Sequence, residues 1–492
     1  MSMDSLYAVP NSIKDKEAVI DKLNSILGLD RAYLSDRLNR KKSFIWVARK
    51  LTPDKSEAVK KLNLKGLGFI KETKRIYPNS YLASHVIGFS GMDNVGLEGV
   101  ERDYNKYLSG IPGWAIFLRD ARLKKLDIWE KMVMPVDGLD VVLTVDEVIQ
   151  YIAERELDKA YSSSNAKGAS IIVMDPYTGK ILAMANRPTY DLNDFSAASR
   201  DSKRNRSICD LFEPGSVFKI VTASAALEEK KVSEEDIIFC ENGAYRVGGR
   251  ILHDYHAKGN LTFRQVIEES SNIGTVKVAM LLGADKLYRY LRAFGFGSKL
   301  GIDLSGEISG MISPVRLWSK TSITAIPMGQ EVGVTDLQLV SAISVIANGG
   351  QLMKPYIIDS IRDNQGQVIK QNKPVLIRNV ISLDTAMRIK KILTGVVEKG
   401  TGRLAKVSGF SAAGKTGTAQ KIEPNGRYSE TKFIASFIGF APAQDPMLAI
   451  VVTIDEPRRG SHFGGVVAAP VFQKVANDVI RYLKGNEIPY RR

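Results

Sequence analysis

The chain has 492 residues, 44% hydrophobic and 25% charged, with a net charge of +15 and two cysteines. This length allows about two to four domains, and the composition excludes bulk disorder, a collagen-like chain, a disulfide scaffold and a cysteine-based zinc module. No apolar run approaches the roughly 20 residues that cross a bilayer, so the chain as given reads as soluble, with no signal peptide at its start.

Residues 1–134 read as mixed and irregular, with a strand already under way at residues 5–10. More regular patterning opens near residue 136. The spacing predicts a helix over 147–161 with Val148, Ile152 and Leu157 on its apolar side. Residues 170–174 and 180–184 flank Asp175-Pro-Tyr-Thr-Gly179 and predict a hairpin. Glu213-Pro-Gly215 predicts a turn, after which Ser216 opens an apolar, Ala-rich helix reaching residue 227. Thr262 with Gln265, and Thr335 with Gln338, are capping-box signatures, and Asn348-Gly-Gly350 is a stop signal for the second of these helices. Ser382 caps a further helix to about Lys399. Strand-like runs at 433–440 and 447–454, then an amphipathic helix at 470–483, complete the chain. Hairpins at both ends of this part with helices between them predict an α/β (α+β) fold, an antiparallel sheet covered by helices.

The positive charge is spread along the chain. It suits an anionic membrane face or wall polymer, or simply a solvated surface, and no aromatic–basic motif argues for nucleic acid. His253 and His256 lack a third ligand and helical i,i+4 spacing, so they read as polar loop residues and no metal site is expected. Cys209 and Cys240 are either free and buried or paired in an oxidising compartment.

Chemistry is suggested first by residues 409–416, Gly-x-x-x-x-Gly-Lys-Thr, which match a phosphate-binding loop. Such a loop needs a helix starting at Gly-Lys-Thr. Here Gly417, Pro424 and Gly426 follow, with no helical period, so a P-loop NTPase is a remote alternative. Ser-x-x-Lys occurs at Ser164/Lys167, Ser216/Lys219 and Ser429/Lys432. Only the middle pair opens an apolar helix, where the N-terminal N–H groups favour developing negative charge and an apolar setting can deprotonate the lysine. Ser164 reads as part of a polar stretch before the hairpin, and Ser429 as part of a Gly/Pro-containing loop. Ser270-Ser-Asn272 falls at a break between two helices, and Lys415-Thr-Gly-Thr418 reads as an edge strand whose glycine lets a substrate backbone approach.

The order S-x-x-K, S-x-N, K-T-G is the trio of serine β-lactamases and penicillin-binding proteins. With Arg75-Ile-Tyr-Pro78, Gly96-Leu-Glu-Gly99, Gly329-Gln-Glu331, Gly400-Thr-Gly402 and Gly464-Gly465, the chain resembles a class B penicillin-binding protein, a peptidoglycan D,D-transpeptidase of the division type. The resemblance implies a non-catalytic mixed pedestal over 1–134 and a penicillin-binding, serine β-lactamase-like transpeptidase domain over 135–492. It implies Ser216 as nucleophile, Lys219 as base, Ser270 as proton relay with Lys415, and Asn272, Thr416, Gly417 and Thr418 as substrate-binding residues. The N–H groups of Ser216 and Thr418 would form the oxyanion hole. It implies no cofactor, stem peptides ending in D-Ala-D-Ala and β-lactams as ligands, and a membrane glycosyltransferase and divisome proteins as partners. Family members start with a membrane-spanning helix that this chain lacks, so an N-terminally truncated chain from the extracytoplasmic face of the bacterial membrane is expected. An elongation-type enzyme, a D,D-carboxypeptidase or β-lactamase, and a non-catalytic β-lactam sensor remain alternatives.

Overall fold

The computed structural model describes residues 1–119 and 125–485. The expected ranges 1–134 and 135–492 therefore include residues 120–124 and 486–492, which lie outside the described residues. The backbone falls into two compact units, Met1–Asn79 with Ser90–Leu97, and Ser80–Phe89 with Glu98–Arg492.

The first unit is more regular than its sequence suggests. Strand Ser2–Ala8 lies between Ile45–Leu51 and Leu67–Thr73 and is antiparallel to both. Helices Lys16–Leu27 and Arg31–Leu38, each capped by an aspartate, bring Ile20, Leu23, Leu34 and Leu38 into a core with Leu6 and Val47. The elements are short, and Leu67–Thr73 is largely exposed towards its charged end, which breaks the apolar alternation. The expected strand at 5–10 begins earlier and ends before Pro10, which has no N–H for a ladder.

The second unit is built on helix α1 (Glu147–Ser164), strands β1 (Gly168–Met174) and β2 (Ile181–Arg187), and helices α2 (Lys219–Glu228), α3 (Phe263–Glu268), α4 (Asn272–Leu282), α5 (Asp336–Ala347) and α6 (Leu383–Glu398). Strands β3 (Ala413–Ile422), β4 (Tyr428–Ala441) and β5 (Leu448–Asp455) and helix α7 (Ala469–Gly485) follow. The sheet order is β3-β4-β5-β1-β2, with every neighbouring pair antiparallel. Successive strand residues point to opposite faces, and both faces are covered. Ile171, Val173, Ile450 and Val452 pack in one core with residues of α1 and α7. Ile172, Met174, Ala449 and Val451 pack in another with residues of α2, α4, α5 and α6. Burial on both faces is why these strands read as continuous apolar runs.

Local signals act as expected. Asp175 accepts from Tyr177 N–H at 2.9 Å and Thr178 Oγ1 at 2.6 Å in the β1–β2 turn. Both capping boxes form, and Ser382 caps α6. One expectation is corrected: Val148 is exposed, whereas Ile149 joins Ile152, Ala153 and Leu157 in the core. One residue is about 100° of helix rotation, and the 149/152/153 spacing keeps a single face.

Candidate active site

Gly215–Phe218 forms a short 3₁₀ turn that runs into α2, whose residues from Lys219 to Leu227 are all buried. Gly215 has φ of +60°, a left-handed conformation that favours glycine. Its N–H donates to Gly329 O at 3.2 Å. This turn holds Ser216, half-buried, one helical turn before Lys219. On its other side runs the sheet edge: a Cβ on Gly417 would stand 2.9 Å from Pro214 O and from Val217 Cγ1. Lys415, Thr416, Gly417 and Thr418 all lie within β3, the edge strand. No helix starts at Gly-Lys-Thr, so the P-loop alternative is corrected: the pattern folds as a strand and lacks the fan of helix N–H groups that holds phosphate.

The third motif lies between α3 and α4. Ser270 has φ of +62°, and Ser271 caps α4. Lys219 Nζ donates to Ser270 O at 2.6 Å, Asn272 Oδ1 at 2.8 Å and Ser270 Oγ at 3.2 Å. Lys415 Nζ donates to the same Ser270 Oγ at 2.8 Å. Both lysines are fully buried. Burial pushes Lys219 down to about 7, opposed by the Asp254 carboxylate. Burial and the Lys219 charge hold Lys415 well below the ordinary lysine range. A lysine ammonium has three donors, and those of Lys219 all point to Ser270 and Asn272. Losing one proton frees a lone pair and gives the group a base function.

Ser216, Ser270, Asn272, Thr416 and Thr418 line one cleft of about 1200 Å³. Thr416 Oγ1 lies 2.8 Å from Thr401 Oγ1, and Thr418 Oγ1 accepts from Gly464 N–H at 3.1 Å. The cleft thus gathers a hydroxyl at a helix start and two strand hydroxyls, with two depressed lysines buried behind Ser270, a set suited to acyl transfer. The other Ser-x-x-Lys pairs lie elsewhere, in settings that correct the expected ones. Ser164 sits in the last turn of α1 and donates to Ala160 O at 2.6 Å. Ser429 is on β4, buried, and accepts from Thr431 and Lys432 N–H.

The family described as the penicillin binding protein transpeptidase domain matches residues 169–477, and the penicillin-binding protein dimerisation domain matches 2–143. The chain belongs to the class B penicillin-binding proteins. It is 38% identical over 488 residues to Stage V sporulation protein D of Bacillus subtilis, covering 97% of this chain and 75% of that protein. It is 32% identical over 491 residues to the peptidoglycan D,D-transpeptidase FtsI of Escherichia coli K12, covering 97% and 80%. Penicillin binding protein 3 of Mycobacterium tuberculosis, solved with aztreonam, superposes with a TM-score of 0.74 at 32% identity, covering 85% of this chain and 91% of that one. The sequence trio thus falls in a transpeptidase fold, an antiparallel sheet with helices on both faces.

Several residues of this penicillin-binding protein cleft were not singled out in sequence as site residues. Asp254 accepts from Asn272 N–H at 2.5 Å, Ile273 N–H at 3.0 Å and Ser271 Oγ at 2.6 Å. It sits between His253, whose backbone O accepts from Asn272 Nδ2 at 3.0 Å, and Tyr255 of the cleft wall. His253 itself ends a short strand, Arg250–His253, where a loop was expected. His462 stacks on Phe433 with centroids 4.0 Å apart, forming part of the same wall. No sequence spacing links these residues to the trio. Gly464 was read as part of the Gly464-Gly465 motif, and its hypothetical Cβ would stand 2.2 Å from Gly417 O. Both cysteines are free.

Proposed function

We propose that the cleft catalyses D,D-transpeptidation of peptidoglycan stem peptides through a Ser216 acyl-enzyme, in septal wall synthesis. The observation that carries this reading is the Ser270 hydroxyl, held between the two buried lysines Lys219 and Lys415 in a cleft shared with Ser216. Neutral Lys219 takes the Ser216 proton as Oγ attacks the carbonyl of the penultimate D-Ala. The amide C–N bond then breaks, and the leaving amine of the terminal D-Ala receives a proton relayed through Ser270, with Lys415 beside it. The N–H groups of Ser216 and Thr418 hold the oxyanion, worth a few kcal/mol per donor in comparable sites. Thr416 and Thr418 hold the terminal carboxylate in the positive field of Lys415. Gly417 leaves room for the substrate backbone, and Asn272 holds its amide. The amine of a neighbouring stem then attacks the ester, forms the cross-link amide and returns the proton to Ser216.

β-Lactams present the same carbonyl and carboxylate and stop at the ester. In this reading residues 135–492 carry the chemistry, and residues 1–134 serve as a pedestal that meets a membrane glycosyltransferase and divisome proteins on the extracytoplasmic face. Among the described residues no helix is long and apolar enough to cross a membrane. The testing experiment has two arms: intact-protein mass with peptide mapping after benzylpenicillin, and, on separate untreated enzyme, turnover of a thioester donor with and without a D-amino acid acceptor. One adduct on Ser216 and amine-dependent product support transpeptidation; hydrolysis alone, unmoved by amine, supports the carboxypeptidase alternative.

A further inference from the structure

Asn272 and Ser270 do their work only if the break between α3 and α4 holds its shape, and that break carries a backbone conformation that side-chain residues seldom adopt: Ser270 at φ +62°. Such a conformation persists only where the surroundings hold it. One side chain collects the free donors of this segment. Asp254 Oδ1 accepts from the first two N–H groups of α4, those of Asn272 and Ile273, and Oδ2 accepts from the hydroxyl of Ser271. Ser271 Oγ in turn accepts from Gly274 N–H at 2.9 Å, so Asp254 completes a cap that Ser271 begins. Asp254 comes from the segment after strand Arg250–His253, 17 to 19 residues before the donors it binds, and it borders the cleft.

We propose that Asp254 is a positioning residue for acylation: by hydrogen bonding to the start of α4 it fixes Ser270 and Asn272 where Lys219 donates to them. Its carboxylate also acts on Lys219, raising that lysine's proton affinity against the effect of burial. This rests on the transpeptidase reading and deepens it. Lys219 donates to Ser270 and Asn272 from the break and α4, both uncharged, and the charged groups that act on it are Lys415 from β3 and Asp254. The two charged groups act on Lys219 in opposite senses. The Asp254 carboxylate favours the protonated form of Lys219, and the positive charge of Lys415 favours the neutral one. The two contributions of Asp254 separate by substitution. Asp254→Asn keeps an oxygen for the Asn272 and Ile273 N–H groups, and its amide N–H can donate to Ser271 Oγ, so the cap survives without the charge. Asp254→Ala removes both.

The test is the second-order rate of acylation by benzylpenicillin across pH 5.5–9, with thermal melting of each full-length variant as a folding control. Asp254→Ala is expected to acylate at least thirtyfold more slowly at every pH while still melting cooperatively. Asp254→Asn is expected to recover to within about fivefold of wild type above pH 8, with its acidic limb moved to lower pH because Lys219 has lost its counter-charge. Equal rates and an unmoved profile in both variants overturn the proposal. An Asn variant as slow as the Ala variant overturns the hydrogen-bonding part, and an Asn variant whose acidic limb stays in place overturns the charge part. Failure of wild type to take any adduct overturns the transpeptidase reading, a result distinct from either of these.

Discussion

Lys415 Nζ donates to Ser270 Oγ at 2.8 Å, and neither residue belongs to the element that carries the nucleophile. The hydroxyl thereby becomes the junction between the edge strand and α2, since Lys219 reaches it from the other side at 3.2 Å. Two lysines buried around one hydroxyl repel each other and pay a desolvation cost for every charge they carry. The pair is thus poised to carry fewer than two positive charges near neutral pH.

This sets the pH dependence of acylation. Burial brings Lys219 down to about 7. Below that value the ammonium is intact and cannot accept the Ser216 proton; above it the neutral amine can. The second-order rate with benzylpenicillin should therefore rise about tenfold per pH unit on the acidic side and level off above about pH 7 to 8. Stopped-flow acylation between pH 5.5 and 9 checks it; a limb near the ordinary lysine range of about 10 would contradict the burial argument.

Only Ser216 should be acylated, although the chain has three Ser-x-x-Lys pairs. Ser164 is tied to Ala160 O in a helix end, and Ser429 accepts two backbone N–H groups from within a strand. Neither lines the cleft of Ser216. Ser216→Ala should abolish the penicillin adduct, and Ser164→Ala and Ser429→Ala should retain it. Lys219→Ala should slow acylation by about 10²–10⁴-fold, the usual worth of a positioned base. Peptide mapping of the adduct is the direct check.

The catalytic unit takes in part of the region assigned by sequence to the pedestal. Ala83 N–H donates to Glu154 Oε1 at 2.8 Å, His85 Nε2 lies 2.8 Å from Ser202 O, and Val86 is fully buried in a core shared with α2 and α4. A fragment beginning at Val133 should still take the penicillin adduct, but should melt at lower temperature than one beginning at Ser80. Burying one Val is worth about 1.5–3 kcal/mol, and its hydrogen-bonded neighbours go with it. Equal melting temperatures would show that residues 80–89 contribute nothing to this unit.

What could be read in sequence was local. The β1–β2 hairpin, the capping boxes at Thr262 and Thr335 and the edge-strand reading of Lys415–Thr418 each follow from a few neighbouring residues, and all are present. The trio became specific only through its order along the chain. Asp254 was illegible because its partners, Ser271 to Ile273, are brought to it by the fold, and an aspartate beside two histidines carries no spacing signal. Thr401 was read only as part of Gly400-Thr-Gly402, and its contact with Thr416 was illegible for the same reason: it needs α6 to end against β3. The first unit was misread as irregular because its three strands are short, seven residues each, with polar residues inside them: Ser5 is buried in the first, and Leu67–Thr73 is exposed towards its charged end.

A second titration bears on stability. Asp336 is fully buried and accepts hydroxyl donors from Ser170 and Thr453; burial raises its carboxyl to about 6. In the unfolded chain the group returns to about 3.9. Between these values the folded state binds the extra proton, so its contribution is full below about pH 4 and is lost as pH rises through about 6, reaching about 3 kcal/mol. Asp336→Asn removes this dependence while keeping a carbonyl and an amide for the two hydroxyls. Its advantage over wild type should grow by about 1.4 kcal/mol between pH 5 and pH 7.5. Urea midpoints at the two pH values test this; an advantage that shrinks with pH would reverse the sign.

Gly417 separates catalytic geometry from overall stability. A Cβ placed there would stand 2.4 Å from Ser436 Oγ and 2.9 Å from Pro214 O. The serine side chain can turn away, but the Pro214 carbonyl is part of the backbone just before the nucleophile turn. Gly417→Ala should therefore move β3 away from Ser216 by a fraction of an ångström, carrying Thr418 and the proposed oxyanion donor with it. Overpacking of this kind costs about 1–3 kcal/mol, which a unit of this size survives. Misplacement of reacting groups by about 1 Å costs up to about 10² in rate, so acylation should fall at least tenfold while the protein still melts cooperatively. Gly485→Ala, where a Cβ meets nothing within 4 Å, is the control and should leave both properties unchanged. A Gly417→Ala protein that acylates at the wild-type rate would mean that the edge strand yields without disturbing the site, and that the close packing of β3 on the nucleophile turn does not set the catalytic geometry.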